Sequence, residues 1–374
     1  MQSYKSVSIF LVVLLLTRPL LYSVGLQVFG TDPVKDFMYF NSLMDDWQGS
    51  LLRQSVADAQ YPPGLGLMMQ LGNWWGLPHP QDVRASFMMW DAVATLAALW
   101  YLRPIDQPYW RLALMLIFLV PLTAIWAQDE VIAAAFLALV IVLLNQSLWR
   151  SAIALTVFAV ACVKIFFLPL CGLLLVAAWR HGVSRPWLLM SAAGVLCILI
   201  WQLSGDSSGL SQFVPPNDFG ISLWSLSPVM EQAPAKAAYH KSLLIFVVLG
   251  GAWGLWSLVR LRSVSSALLV FAVLMHIFTL SFYHVSPEYL VFVCWPYLLL
   301  PQTASHRIAL QCMATWSLAW GVNVLYYLQQ VHPLLITGHH VMLIAFNLTS
   351  LMLLISVLRA LLSAHSRGAN PERS

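Results

Sequence analysis

Five carboxylates, Asp32, Asp36, Asp45, Asp46 and Asp58, fall close together early in the chain, and they are the first residues whose types suggest chemistry. Asp32 and Asp36 lie in Thr31-Asp32-Pro33-Val34-Lys35-Asp36-Phe37-Met38-Tyr39-Phe40, and Asp58 comes just before Tyr61-Pro62-Pro63-Gly64. In a chain this apolar, clustered carboxylates are costly unless they sit in water and act there. At a membrane boundary such a group can accept a proton from an attacking hydroxyl, the general-base role. Asp36 and Asp32 are the candidates for it, against the plainer reading that they are solvated loop acids. Tyr61-Pro62-Pro63-Gly64 is a rigid turn, because each proline fixes its own φ and restricts the residue before it. The same letters also suit the first turn of a helix.

Three later groups carry the remaining chemistry. Gln128-Asp129-Glu130 offers two adjacent carboxylates able to bind a divalent cation or hydrogen-bond sugar hydroxyls, or simply a solvated hairpin. Lys164 stands alone in Ala161-Cys162-Val163-Lys164-Ile165-Phe166-Phe167-Leu168-Pro169, where a cation must snorkel or meet an anion. His284-Val285-Ser286-Pro287-Glu288-Tyr289 opens another apolar run, and Glu288 near a helix start is also what the helix dipole favours. Arg18 and Asp91 are further charges inside apolar runs, and a pairing between them is open.

These groups must be positioned by apolar elements. Of 374 residues, 60% are hydrophobic and 9% charged, against about 25% charged in soluble domains. The composition is that of an integral membrane protein, all-α and polytopic, read as a single transmembrane domain over 1–374 with no room for a sizeable soluble one. At roughly 20 apolar residues per span, the runs are 7–26, 86–102, 111–127, 131–148, 151–163, 166–179, 187–203, 242–259, 265–282, 289–304, 308–328 and 339–360, about twelve in all, with 64–77 as a half-span. The first is read as an uncleaved span, since Arg18-Pro19 interrupts it and no cleavage site follows. The five cysteines lie in or beside apolar runs without a C-x-x-C pair, so neither a disulfide framework nor a zinc site is indicated.

With both termini cytoplasmic, alternation places Arg103, Arg111, Arg150, Arg180, Arg185, Arg260, Arg262, Arg307 and Arg359 inside. It places Asp32, Asp36, Asp129, Glu130 and Glu288 outside, as the positive-inside rule requires. Two external loops are then long, 27–85 and 204–240. In the first, Phe40, Leu43, Met44, Trp47, Leu51 and Leu52 recur at helical spacing, which predicts a helix lying in the membrane surface with its apolar face down.

Taken in order, these residues resemble the C-type (multispan) glycosyltransferases that take a sugar from a polyprenyl or dolichyl phosphate. The resemblance is especially to the GPI mannosyltransferase I catalytic subunit and the bacterial polyprenyl-phosphate-mannose-dependent enzymes. The acidic D-x-D-Y element of the first external loop is matched by Asp36-Phe37-Met38-Tyr39, with Met38 in place of the second acid. The Tyr-Pro turn is matched by Tyr61-Pro62-Pro63. A Phe-Lys-Ile-Tyr-Pro-like run is matched by Val163-Lys164-Ile165 with Pro169 displaced, and a Pro-Glu-Tyr element by Ser286-Pro287-Glu288-Tyr289 leading to Trp295-Pro296 and Pro301.

The resemblance implies a C-type fold of about twelve transmembrane helices with an amphipathic helical first external loop. It implies an inverting glycosyltransferase, a mannosyltransferase, acting on the non-cytoplasmic face of the membrane, the inner membrane if the cell is bacterial. Asp36, or Asp32, deprotonates the acceptor hydroxyl. Lys164 and His284 lie by the departing phosphate, where a cation stabilises developing charge. Tyr39, Tyr61, Asp129, Glu130 and Glu288 line the substrate. The partners implied are a polyprenyl-phosphate sugar donor, a lipid or glycan acceptor and membrane lipids, with no nucleic acid. No cofactor is expected, and a divalent cation is left open. Two other readings stand beside it. One is a transporter or flippase for lipid-linked sugars, whose charges would lie near mid-membrane on a pathway. The other is an O-antigen-ligase-like transferase, which would want Arg and His in a large external loop, where 204–240 offers only Lys236 and His240.

Overall fold

The computed structural model describes residues 20, 36–48, 62, 64–73, 76, 81–102, 128–164, 166–203, 221, 250, 265–281, 286–300 and 305–368. Among these, 89% are helical and none lies in a strand. The chain falls into two compact units, Met1–Val214 and Pro215–Ser374.

The described helices of the first unit are α1 (Asp36–Asp45), α2 (Leu65–Gly72), α3 (Gln81–Leu102), α4 (Glu130–Asn145), α5 (Trp149–Cys162), α6 (Phe167–Arg180) and α7 (Arg185–Leu203). Helices α4, α5 and α6 are consecutive and alternate in direction. The Phe136 and Phe158 rings stack at 6.0 Å across the first pair, and the Trp149 and His181 rings at 4.8 Å across the second. The tight turn into α5 places Ser147 at φ 60°, a left-handed conformation uncommon for a residue with a Cβ. Pro169 is tolerated in α6 because it falls in the first turn, where its missing N–H has no intrahelical partner to lose.

Short α2 packs on α1, α3 and α5, and glycines make this close approach geometrically feasible. A Cβ on Gly66 would collide with the Leu43 carbonyl of α1, and one on Gly72 would come within 2.8 Å of the Ser86 Cα on α3. The Trp90 indole N–H donates to the Met68 carbonyl at 3.0 Å, fastening α3 to α2.

The expected amphipathic helix is present as α1, with its apolar face where the periodicity puts it. That face is turned into protein instead of lipid. Phe40, Leu43 and Met44 are buried while Asp45 and Asp46 are exposed, and Phe40 meets Phe87 of α3 edge-on at 5.4 Å. The glycine at 66 lets the α2 backbone reach Leu43 and cover the face that lipid was expected to cover. Leu51 and Leu52 lie outside the described residues.

The second unit contains α8 (Ser265–Ser281), a 3-10 turn at Pro287–Leu290, α9 (Val291–Leu299), α10 (His306–Val331), a 3-10 turn at Pro333–Leu335 and α11 (Ile336–Gly368). Ser305 caps α10 by accepting the Ile308 N–H at 3.2 Å. Helices α10 and α11 form a hairpin, with the Tyr326 and His339 rings 5.9 Å apart near its turn. Buried His276 on α8 lies within hydrogen-bonding distance of the Ser350 hydroxyl of α11, at 2.7 Å, and of the Tyr297 hydroxyl of α9, at 3.4 Å. These contacts pin three helices together.

Within α10 and α11, 306–326 and 336–363 are long and apolar enough to cross a membrane. Among the described residues five further apolar helices are shorter, and α5 and α6, of 14 residues each, rise about 21 Å, short of a roughly 30 Å hydrocarbon core. The apolar runs 131–148, 187–203 and 265–282 therefore correspond to helices, but length alone does not make each of them a full span. Apart from Leu20 and Gly250, the runs 7–26, 111–127 and 242–259 lie outside the described residues.

Candidate functional site

Because α4 and α5 form an antiparallel hairpin, the start of α4 and the end of α5 lie at the same end of it. That end holds Asp129 and Glu130 on one side and Lys164 on the other. The Lys164 ammonium is 2.7 Å from Glu130 Oε1 and 3.1 Å from Asp129 Oδ2. Both acidic side chains are 2% exposed and the lysine 12%. The expectation of a solvated acidic hairpin is therefore overturned: both carboxyls are buried, and the lysine between them makes that burial tolerable.

Local backbone chemistry places each member. Asp129 and Glu130 stand at the N-terminal end of α4, where the helix dipole favours negative charge. Lys164 stands in the break between α5 and α6. There its N–H and that of Val163 both donate to the Ala159 carbonyl, at 3.0 and 2.9 Å, ending the α5 ladder, and the Lys164 carbonyl accepts the Phe167 N–H that begins α6. The proline turn closes on the same place. Gly64 donates its N–H to the Ala161 carbonyl at 3.2 Å, and a Cβ on Gly64 would come within 2.9 Å of the Cys162 Cα. Gly64 thus rests against residues two and three positions before Lys164.

Two carboxylates and one ammonium leave this buried cluster with a surplus negative charge, and a proton balances it. Burial first, and the neighbouring Glu130 charge second, push the Asp129 carboxyl up to about 8, with Lys164 pulling the other way. Two oxygens are buried with no hydrogen-bond partner, Asp129 Oδ2, which faces the Lys164 ammonium, and Glu130 Oε2. Among the described residues no group of three His, Cys, Asp or Glu side chains is placed to hold a metal ion. Asp129 and Glu130 provide carboxylate oxygens, but the lysine occupies the space between them that a divalent cation would need.

The remaining predicted site residues fall elsewhere. Asp36 and Tyr39 lie on the first turn of α1, their side chains outside the described residues. Asp32, Tyr61 and His284 lie outside the described residues altogether, as does Arg18. Glu288, half-buried, sits in the first turn of the 3-10 helix in the second unit. Asp91 is buried on α3 and accepts from the Thr95 hydroxyl at 3.5 Å.

Three buried polar residues were not foreseen as buried, Asp82, Arg84 and His276. Helix α3 begins at Gln81, so Asp82 and Arg84, expected in an external loop reaching residue 85, are helical and buried. Arg84 and Asp91, seven residues apart, share a helix face, and that spacing was the available signal. His276 was read only as part of an apolar run. Comparison with protein-family models and with curated proteins finds no match for this chain.

Proposed function

We propose that this chain is a polytopic membrane glycosyltransferase of C-type architecture, moving a sugar, mannose first, from a polyprenyl phosphate to a lipid or glycan acceptor with inversion. What carries the reading is the buried Asp129–Glu130–Lys164 cluster with the Pro62–Gly64 turn packed beside it. Two of the four sequence elements that resemble that family's, far apart in the chain, meet at one end of one helical hairpin. The acids gather at that end, and Arg150, Arg180 and Arg185 belong to the other. That polarity fits an acid end outside and a basic end inside.

In this reading Asp36, with Asp32 as its substitute, takes the proton from the acceptor hydroxyl as that oxygen attacks the anomeric carbon. The carbon–phosphate oxygen bond breaks, and lipid phosphate leaves with the bonding pair. Lys164 neutralises the charge that builds on the departing phosphate. The test is sugar transfer in membranes, from radiolabelled polyprenyl-phosphate mannose and glucose, by wild type and Asp36→Asn at matched expression. Transfer that disappears in Asp36→Asn is the expected result. Absence of transfer from either donor by the wild type refutes the reading for these two sugars.

One observation favours a second reading, a transporter or flippase of lipid-linked sugars. A buried carboxyl pair holding a proton beside a lysine is also what proton-coupled carriers place in their helices. Lipid-linked sugar crossing vesicle membranes in the absence of transfer would select it.

A further inference from the structure

Lys164 is the only member of the cluster that reaches the surface, and it does so with its ammonium already engaged by two carboxylates. An anion arriving at that opening competes with Asp129 and Glu130 for the same charge. If the lysine turned to the anion while the cluster kept only the proton it holds at rest, the remaining carboxylate and the anion would put two negative charges on one buried cation. In low dielectric that is untenable, and protonation is the available remedy.

We infer that the Asp129–Glu130–Lys164 cluster is a proton-coupled latch for a lipid-borne phosphodiester: the anion takes Lys164 from the carboxylates, and they take up a proton as it leaves. The step balances, since one proton enters from solvent when the anion binds and departs when the lysine returns. Glu130 Oε2, buried and without a hydrogen-bond partner, is the acceptor position that the incoming proton can occupy. This rests on Lys164 being the phosphate-facing cation of the proposed transferase and adds how that cation is withheld and released.

The groups on neighbouring elements leave the linkage to the cluster itself. Packed against α4, helix α3 carries the buried Asp82, Arg84 and Asp91. Helix α2 has no ionisable side chain, α5 and α6 add Arg150 and Arg180 at the opposite end and the Cys162 and Cys171 thiols, and α7 has Arg185, also at the opposite end, and Cys197. Among all of these, the charges acting on Asp129 are those of Glu130 and Lys164.

The probe is a farnesyl methyl phosphodiester, which carries one negative charge throughout the range used, titrated into the full chain in detergent. Inorganic phosphate and methyl phosphate serve as controls for a free anion. The expected result is tighter binding at about pH 6 than at about pH 9, by up to about tenfold per pH unit where the proton is taken up. The heat of binding should also scale with the ionisation enthalpy of the buffer, reporting net proton uptake. Glu130→Gln should bind more tightly and with a weaker pH dependence, and Lys164→Gln should lose binding at least about tenfold.

Wild-type affinity that does not change with pH overturns the latch without any variant having to fold, as does failure to bind the diester at any pH. Equal binding of inorganic phosphate would show a free-anion site and overturn the lipid assignment. Sugar transfer and this binding are read separately. Transfer without pH-linked binding sinks the latch alone, and pH-linked binding without transfer sinks the transferase alone.

Discussion

The Gly64 N–H meets the Ala161 carbonyl at 3.2 Å, so the proline turn that follows the first acidic segment is seated on the last turn of α5. The approach is closed to any side chain, since a Cβ at position 64 would fall 2.8 Å from the Cys162 Cβ and 2.9 Å from its Cα. Gly64→Ala should therefore destabilise the chain by about 1–3 kcal/mol, the usual cost of overpacking. Gly172→Ala, where a Cβ meets nothing within 4 Å, is the control and should be neutral or stabilising by up to about 1 kcal/mol. Thermal unfolding in detergent reads both. Equal behaviour of the two variants would mean that the turn is not held against α5.

Lys164→Met removes the only cation of the cluster and leaves two buried carboxyls facing each other. Breaking a buried ion pair from one side costs about 3–5 kcal/mol, so the variant should unfold well below the wild type near neutral pH. Lowering the pH protonates the carboxyls and should close most of the gap between the two proteins. A deficit that is the same at all pH values would place its origin in lost packing of the lysine stem.

The Asp129 carboxyl supplies a sign for pH dependence. Its folded value of about 8 lies above its ordinary value of 3.8, so its contribution to stability is complete below the lower value. It declines as pH rises and is gone above the higher one. Between about pH 5 and about pH 9 the wild type should lose thermal stability as pH rises, and Asp129→Asn should lose less over the same range. A wild type whose midpoint rises with pH across this window would contradict the protonated cluster.

Much of the helical pattern was legible in the residues. The apolar run 265–282 is the helix Ser265–Ser281, and the run 187–203 is Arg185–Leu203 within two residues. Periodicity also found the apolar face of α1, because the 3.6-residue repeat reports which side of a helix avoids water. It does not report what covers that side, which is why Phe40 and Leu43 were assigned to lipid and lie against protein instead. The same limit applies to the site. Asp129, Glu130 and Lys164 were each identifiable as costly residues in apolar surroundings, but their pairing depends on a hairpin whose closure sets residues 130 and 164 opposite each other. The burial of Arg84 escaped notice because the boundary of α3 was drawn after it, and helix ends are fixed by local capping and tertiary contact more than by hydropathy.

Orientation can be read at the other end of that hairpin. Gln146 is exposed in the turn between α4 and α5, beside Arg150 and far along both helices from Asp129 and Lys164. Applied to Arg150, Arg180 and Arg185, the positive-inside rule predicts this turn in the cytoplasm and the acid cluster outside. Cys197 is the exposed native thiol among the five, the others being buried, so Gln146→Cys in a Cys197→Ser background gives one clean target. A membrane-impermeant maleimide should label that cysteine only after the cells are opened. Labelling in intact cells would turn the hairpin over and bring Asp129, Glu130 and Lys164 to the cytoplasmic face. The donor would then have to present its phosphate from inside, and transfer on the non-cytoplasmic side would be ruled out for this site.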